Sequence, residues 1–304
     1  MKVLIADLFS QAAIVEMTNA GIEVLYNDKL AGDAFKTALE QFQPNVLVVR
    51  SKKVEAGHID ASSKLQLIVR AGAGVDTIDV AYAAKRGIYV ANCPGKNANA
   101  VSELTIGLIL SIDRRMAEGN QLLHEGKWNK GMFANCKGIK GRTLGLIGFG
   151  NIAQLVCKAA RALEMTVLVN TRTQHAGLED ELGFRYVSLD ELLAQSDIVS
   201  VHTPSTAETK NLVNKTFLSK MKSDAVLINT ARGNVVVDED LLAKLEECKD
   251  FWVGTDVFNG EPSAKEIDWS SPLSKHPRVY GTHHCGASTQ QAESAIGAEA
   301  LRVI

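Results

Sequence analysis

Three clusters in the second half of the chain carry side chains suited to one reaction. Asn229-Thr230-Ala231-Arg232-Gly233 supplies a guanidinium, and Thr255-Asp256-Val257-Phe258-Asn259-Gly260-Glu261-Pro262 supplies two carboxylates. Gly281-Thr282-His283-His284-Cys285-Gly286-Ala287-Ser288-Thr289 supplies two imidazoles. A guanidinium binds a carboxylate through paired hydrogen bonds and polarises a carbonyl oxygen. An imidazole that titrates near neutrality exchanges a hydroxyl proton, and a carboxylate beside it orients the ring and favours its protonated form. The set suits oxidation and reduction at the C2 of a 2-hydroxy acid, the hydride being carried by a nicotinamide. The residue types leave open which carboxylate and which histidine take part.

A place for such a carrier lies at mid-chain. The apolar run Thr143-Leu144-Gly145-Leu146-Ile147 ends in Gly148-x-Gly150-x-x-Ala153, and a helical pattern follows. Gly148 suits a tight turn, Gly150 lets backbone approach a pyrophosphate, and Ala153 is small enough for helix to lie on sheet. The helix N-terminus would then offer free N–H groups to the phosphates.

The elements that must position these residues read as two α/β series. In the first third, Lys2–Asp7, Ile22–Tyr26, Val46–Arg50, Leu65–Arg70 and Ile88–Ala91 are strand candidates. Helical patterns lie between most of them, at 10–21, 31–43 and 79–85. A long helical pattern follows from Asn97 to about Gly126, with Leu104, Leu108 and Ile112 in one stripe. The second series has strands at Thr143–Gly148, Thr166–Asn170, Ile198–His202, Ala225–Asn229, Trp252–Asp256 and Val279–Gly281. Helices are expected at 152–163, 189–195, 215–221 and 239–248. Such alternation predicts parallel sheets with helices on both faces, and ligands at strand C-terminal ends. A last helix, Thr289–Ile304, carries Ala295, Ile296 and Ala300 and is expected to return onto the first domain.

Composition narrows the class. The chain has 304 residues, enough for two domains, with 46% hydrophobic and 22% charged residues and a net charge of -2. No basic footprint suggests nucleic acid, no apolar run approaches a bilayer span, and the N-terminus reads as a strand rather than a signal peptide. Five scattered cysteines without a C-x-x-C are read as free thiols in a reducing cytosol, so a cytoplasmic location is expected.

Five motifs in order resemble the D-isomer-specific 2-hydroxyacid dehydrogenase family: Val69-Arg70-Ala71-Gly72-Ala73-Gly74-Val75-Asp76, Gly148-Phe149-Gly150-Asn151-Ile152, the Arg232 cluster, Asp256-Val257-Phe258 with Glu261-Pro262, and Gly286-Ala287-Ser288-Thr289. The resemblance covers essentially the whole chain. It implies a Rossmann-type doubly wound parallel sheet, 97–282, inserted in a smaller flavodoxin-like α/β substrate domain formed by 1–96 and 283–304. By the motifs, the catalytic set becomes Arg232, Glu261 and His284. His283 stands where the family usually has proline and is read as a packed or hydrogen-bonded neighbour. Cofactor contacts are implied for Gly148, Gly150, Asn151, Ile152, Thr171, Arg172, Thr203, Pro204, Thr230, Ala231, Asp256 (to the nicotinamide carboxamide) and Gly286. Substrate contacts are implied for Arg50, Gly74, Val75 and Asn97. No metal is implied.

Two departures bear on specificity. Family members using NAD commonly end the second Rossmann strand with an aspartate. Here Thr171 holds that slot, 171 − 150 = 21 residues after Gly150, and Arg172 follows. Loss of the acid removes repulsion toward a 2′-phosphate, so either NAD(H) or NADP(H) is expected, with NADP at least tolerated. Arg50 and the lysines Lys127, Lys130 and Lys137 suit a phosphorylated substrate, although solvated surface is the plainer reading of the lysines. The expected reaction is oxidation of 3-phospho-D-glycerate to 3-phosphohydroxypyruvate, with the substrate held between the domains. NADP-linked reduction of glyoxylate or hydroxypyruvate is the alternative. A nucleotide-sensing corepressor is the alternative of another class. The resemblance also implies a homodimer through the nucleotide domain. Many members acting on the phosphorylated substrate carry a C-terminal regulatory domain, and the residues up to Ile304 lend no support to feedback through one.

Overall fold

The computed structural model describes residues 1–262 and 266–304. The chain divides into two compact units, Met1–Ala100 with Ala287–Ile304, and Val101–Gly286.

The first unit holds strands β1 (Lys2–Ile5), β2 (Glu23–Tyr26), β3 (Val46–Val49), β4 (Leu67–Arg70) and β5 (Tyr89–Asn92), with helices α1 (Gln11–Asn19), α2 (Gly32–Phe42), α3 (Ala56–Asp60) and α4 (Val80–Lys85). The sheet order is β2-β1-β3-β4-β5 and every pairing is parallel. This is the flavodoxin-like order. The central strand β3, Val-Leu-Val-Val, is buried throughout, as a strand covered on both faces should be. Alternate residues feed two cores. Leu4, Leu47, Val49 and Ile68 meet Phe35, Leu39 and Ile59, whereas Val3, Ile5, Val46 and Val48 meet Met17, Ile296 and Ala300. Ser10 caps α1 by accepting from the Ala13 amide, and Gly21, at φ 77°, follows its end. The C-terminal helix (Gln290–Val303) packs on α1, as its apolar stripe led us to expect.

The second unit begins in helix α5 (Ala98–Arg114), continues through α6 (Met116–His124) and adds strands β6 (Thr143–Ile147), β7 (Thr166–Asn170), β8 (Arg185–Tyr186), β9 (Ile198–Val201), β10 (Val226–Asn229), β11 (Trp252–Thr255) and β12 (Val279–Gly281). Helices α7 (Asn151–Ala162), α8 (Leu178–Leu182), α9 (Leu189–Gln195), α10 (Lys215–Lys220) and α11 (Asp238–Glu247) connect them. The C-terminal helix of the first unit is thus α12. The sheet order is β12-β11-β10-β9-β6-β7-β8, all parallel. Chain direction across the sheet reverses between β6 and β9, which puts the glycine turn after β6 at the switch point. One face packs Leu108, Ile109 and Ile112 of α5 with Val156 and Ala160 of α7, and the other packs Leu192, Phe217, Leu218, Leu241 and Leu245.

One reading of the sequence needs correction, and three short elements were not read at all. The pattern from Asn97 to Gly126 is two helices rather than one. Arg115 breaks it with a left-handed backbone, φ 52°. Its side chain reaches Glu118 at 3.3 Å and lies over the Trp252 ring, while Glu118 bonds the Tyr280 hydroxyl. These contacts to β11 and β12 hold a conformation that costs a non-glycine residue about 1 kcal/mol or more. The two-residue strand β8 and the short helices α3 and α8 also escaped the periodicity, being too short to show one.

Candidate active site

The glycine turn is tightly bounded. Gly148 has φ 84°, and its N–H donates to Asn170 O at the end of β7 (2.8 Å). A Cβ there would lie 2.7 Å from His202 O and 3.3 Å from the Thr203 methyl. Glycine is required by both the conformation and the close approach of the β9 loop. Space above Gly150 is open, and α7 starts there with no side-chain cap, so the first-turn N–H groups of Asn151 and Ile152 are not capped by a side chain. Thr203 Oγ1 is buried and has no hydrogen-bond partner among the described residues. An open cradle, uncapped amides and an orphaned hydroxyl fit a dinucleotide pyrophosphate at this turn.

The loops after β10, β11 and β12 carry the candidate catalytic residues Arg232, Glu261 and His284. Asn229, at the end of β10, accepts from the Ala231 N–H at 3.0 Å and donates to Arg232 O at 2.9 Å, which shapes the turn carrying Thr230, Ala231 and Arg232. Thr230 Oγ1 shares a buried hydrogen bond with Thr105 of α5 (2.9 Å). Arg232 donates to Ala231 O at 2.7 Å. Gly233 allows the Arg232 loop to lie against the Phe258–Asn259 backbone. A Cβ there would fall 2.6 Å from Asn259 N. The loop 256–261 in turn carries Glu261. Its Oε2 accepts from the Phe258 N–H at 3.0 Å, and its Oε1 bonds His284 Nδ1. Burial raises the Glu261 pKa, but the His284 hydrogen bond, the Phe258 amide and the charges of His284 and Arg232 outweigh it and hold the carboxyl below its ordinary range. The three side chains anticipated from the sequence therefore come together, and of the two histidines it is His284 that meets a carboxylate.

Asp256 links the loops after β11 and β12. It is buried at 2% exposure and accepts from Thr282 Oγ1 (2.5 Å), Cys285 N (2.9 Å) and Gly286 N (2.8 Å), while its own carbonyl accepts from His284 N (2.8 Å). It clamps the loop that presents His284, whose backbone is left-handed at φ 50°. Asn229 and Thr282 were not singled out from the sequence. Their signal was available only as an Asx-type position and a threonine at strand ends.

The remaining cofactor candidates flank the turn. Thr171 and Arg172 follow β7, and Thr203 and Pro204 follow β9. Arg172 pairs with Glu208 at 3.0 Å. In the first unit the candidates also follow strands. Gly74 and Val75 lie half-buried after β4, and Asn97 lies half-buried between β5 and α5. Arg50, after β3, donates to Ala287 O (3.3 Å) and Ser288 Oγ (3.4 Å). The amides of residues 50–52 all converge on Asp7 Oδ2, at 2.7, 3.0 and 3.0 Å. Lys127 pairs with Glu125 and Lys137 with Asp224, in keeping with solvated surface. No helix among the described residues is long and apolar enough to cross a membrane, and none of their His, Cys, Asp and Glu residues form a metal-binding group.

The fold and the candidate site fit the nicotinamide-linked hydroxyacid oxidoreductase class, and comparison with known proteins gives the family. Residues 106–286 match the model for "D-isomer specific 2-hydroxyacid dehydrogenase, NAD binding domain". The chain belongs to the D-isomer specific 2-hydroxyacid dehydrogenase family. It is 41% identical over 261 residues to a hydroxypyruvate reductase of Thermotoga maritima, covering 86% of this chain and 83% of that one. It is 35% identical over 298 residues to a D-3-phosphoglycerate dehydrogenase of Archaeoglobus fulgidus, covering 98% of this chain but only 55% of that protein, so it spans about half the length of that relative. Among solved structures, the TT0316 protein from Thermus thermophilus superposes with a TM-score of 0.88 at 31% identity, covering 99% of this chain and 94% of that chain.

Proposed function

We propose that the protein transfers hydride reversibly at C2 of a D-2-hydroxy acid, with 3-phospho-D-glycerate and 3-phosphohydroxypyruvate as the substrate pair. The observation that carries the reaction class is the His284–Glu261 pair under the charge of Arg232. An ionised Glu261 at Nδ1 selects the tautomer with the proton on Nδ1, which leaves the Nε2 lone pair to accept the C2 hydroxyl proton. Arg232 holds the substrate carboxylate and polarises the C2 oxygen. When bound at the Gly148 turn, the nicotinamide dinucleotide supplies or takes up the hydride. Gly74, Val75, Asn97 and Arg50 are the substrate contacts that the family's motifs imply.

The phosphorylated substrate is supported by the match to a phosphoglycerate dehydrogenase over 98% of this chain. A second reading, reduction of hydroxypyruvate or glyoxylate, is favoured by the engagement of Arg50 with Ala287 and Ser288 and by the match to a hydroxypyruvate reductase. A panel of phosphohydroxypyruvate, hydroxypyruvate and glyoxylate with NADH and NADPH tests the choice. Phosphohydroxypyruvate should give the highest kcat/KM, and Arg50→Gln should raise KM for it alone. A tenfold advantage for either unphosphorylated keto acid, about 1.4 kcal/mol in transition-state stabilisation, would overturn the first reading. His284→Ala should abolish turnover on all three.

A further inference from the structure

The glycine turn after β6 is enclosed by more than its own residues. Gly148 N–H is bonded to the end of β7, and the β9 loop, through His202 O and Thr203, fills the space a Cβ on Gly148 would need. The loops after β7 and β9 thus flank the turn on either side, and the Arg172–Glu208 ion pair joins those two loops at 3.0 Å. The carboxylate has a fixed mount. Thr209 Oγ1 donates to Pro204 O at 2.5 Å and accepts from Thr206 N at 2.8 Å, and Lys210 N donates to Thr206 O at 2.9 Å, so residues 204–210 form a compact turn. Arg172 has no such support. It is 85% exposed and reaches across to Glu208, itself 73% exposed.

We propose that Glu208 is a coenzyme-selecting residue. It holds the guanidinium of Arg172 and sets a negative charge beside the ribose end of the dinucleotide. A 2′-phosphate can recruit Arg172 only by displacing this carboxylate, and the carboxylate repels the phosphate as well. NAD, which carries only a hydroxyl there, meets neither penalty. The threonine at 171 opens the ribose pocket to NADP, and Glu208 opposes that opening. The inference rests on the dinucleotide occupying the Gly148 turn.

The test is direct binding, by protein-to-nicotinamide fluorescence transfer, of NADH and NADPH to the wild-type chain and to Glu208→Gln, Arg172→Gln and the double variant. An exposed ion pair is weak, so Glu208→Gln should tighten NADPH about three- to tenfold and change NADH less than about twofold. In the Arg172→Gln background the same substitution should give less than half of that gain. The gain should fade in high salt, where both the pair and the phosphate contact are screened. An unchanged NADPH/NADH ratio in Glu208→Gln, with both coenzymes still bound, overturns the role of Glu208 and leaves the nucleotide site standing. Failure of the wild-type chain to bind either coenzyme overturns the nucleotide site, and the proposal with it.

Discussion

In the proposed reaction His284 acts as a base at Nε2 while Nδ1 keeps its proton, and a carboxylate at Nδ1, here Glu261, favours that tautomer. Glu261→Gln preserves shape but offers an amide that can bond either tautomer. We expect kcat to fall about 10²-fold with KM little changed, measured by steady-state turnover; an equal loss in kcat and gain in KM would point to a binding role instead. A second residue-scale effect concerns stability. Burial pushes the His202 pKa down to about 4 from its ordinary 6.5, while its Nε2 meets Ser200 Oγ at 2.9 Å. Between those values the unfolded chain binds the proton and the folded chain does not. Stability is therefore present in full above about pH 6.5 and declines as pH falls toward 4, by on the order of 2–3 kcal/mol. Urea unfolding from pH 7.5 to 4.5 should show that decline, and His202→Gln should flatten it.

At the scale of elements, the loop after β12 is held by one side chain from the loop after β11. Asp256 accepts three hydrogen bonds from residues 282, 285 and 286. Asp256→Ala leaves two backbone N–H groups without a partner, at a cost of about 1–3 kcal/mol each. We expect a lower Tm together with a kcat loss, because His284 loses its fixed left-handed backbone. Unchanged kcat at 25 °C in a folded variant would show that the clamp is structural only. Asp256 also shows what local sequence does not record. The backbone N–H groups its carboxylate accepts from belong to a segment 29 and 30 residues later. The helix break at Arg115 has the same origin. No glycine or proline marks it, and the partners that hold it, Trp252 and Tyr280 through Glu118, lie far along the chain.

At the scale of the molecule, α6 and the segment after it expose Met116, Leu123, Trp128 (82%) and Met132. A concentration of large apolar side chains on one stretch suits a subunit contact. We propose that the protein is a homodimer through this face of the second unit. Light scattering should give twice the 32.8 kDa chain mass, and Trp128→Glu with Met132→Glu should give monomers. A monomeric wild-type protein at micromolar concentration would dismiss the dimer.

The amino-acid sequence by itself determined the parallel α/β architecture, because alternating β-branched runs and helical stripes encode burial on both faces of a sheet locally. It also determined the glycine turn, since a conformation at φ 84° with no room for a Cβ has one residue type to fill it. Arg232, Glu261 and His284 were legible as residue types at strand ends. Their convergence was decided by tertiary structure, through the parallel order β10-β11-β12 that sets three C-terminal ends side by side. Tertiary structure alone decided that Asp256 serves the His284 loop and that Arg172 is met by Glu208. Both depend on hydrogen-bonding groups finding each other across strands, which no spacing along the chain records.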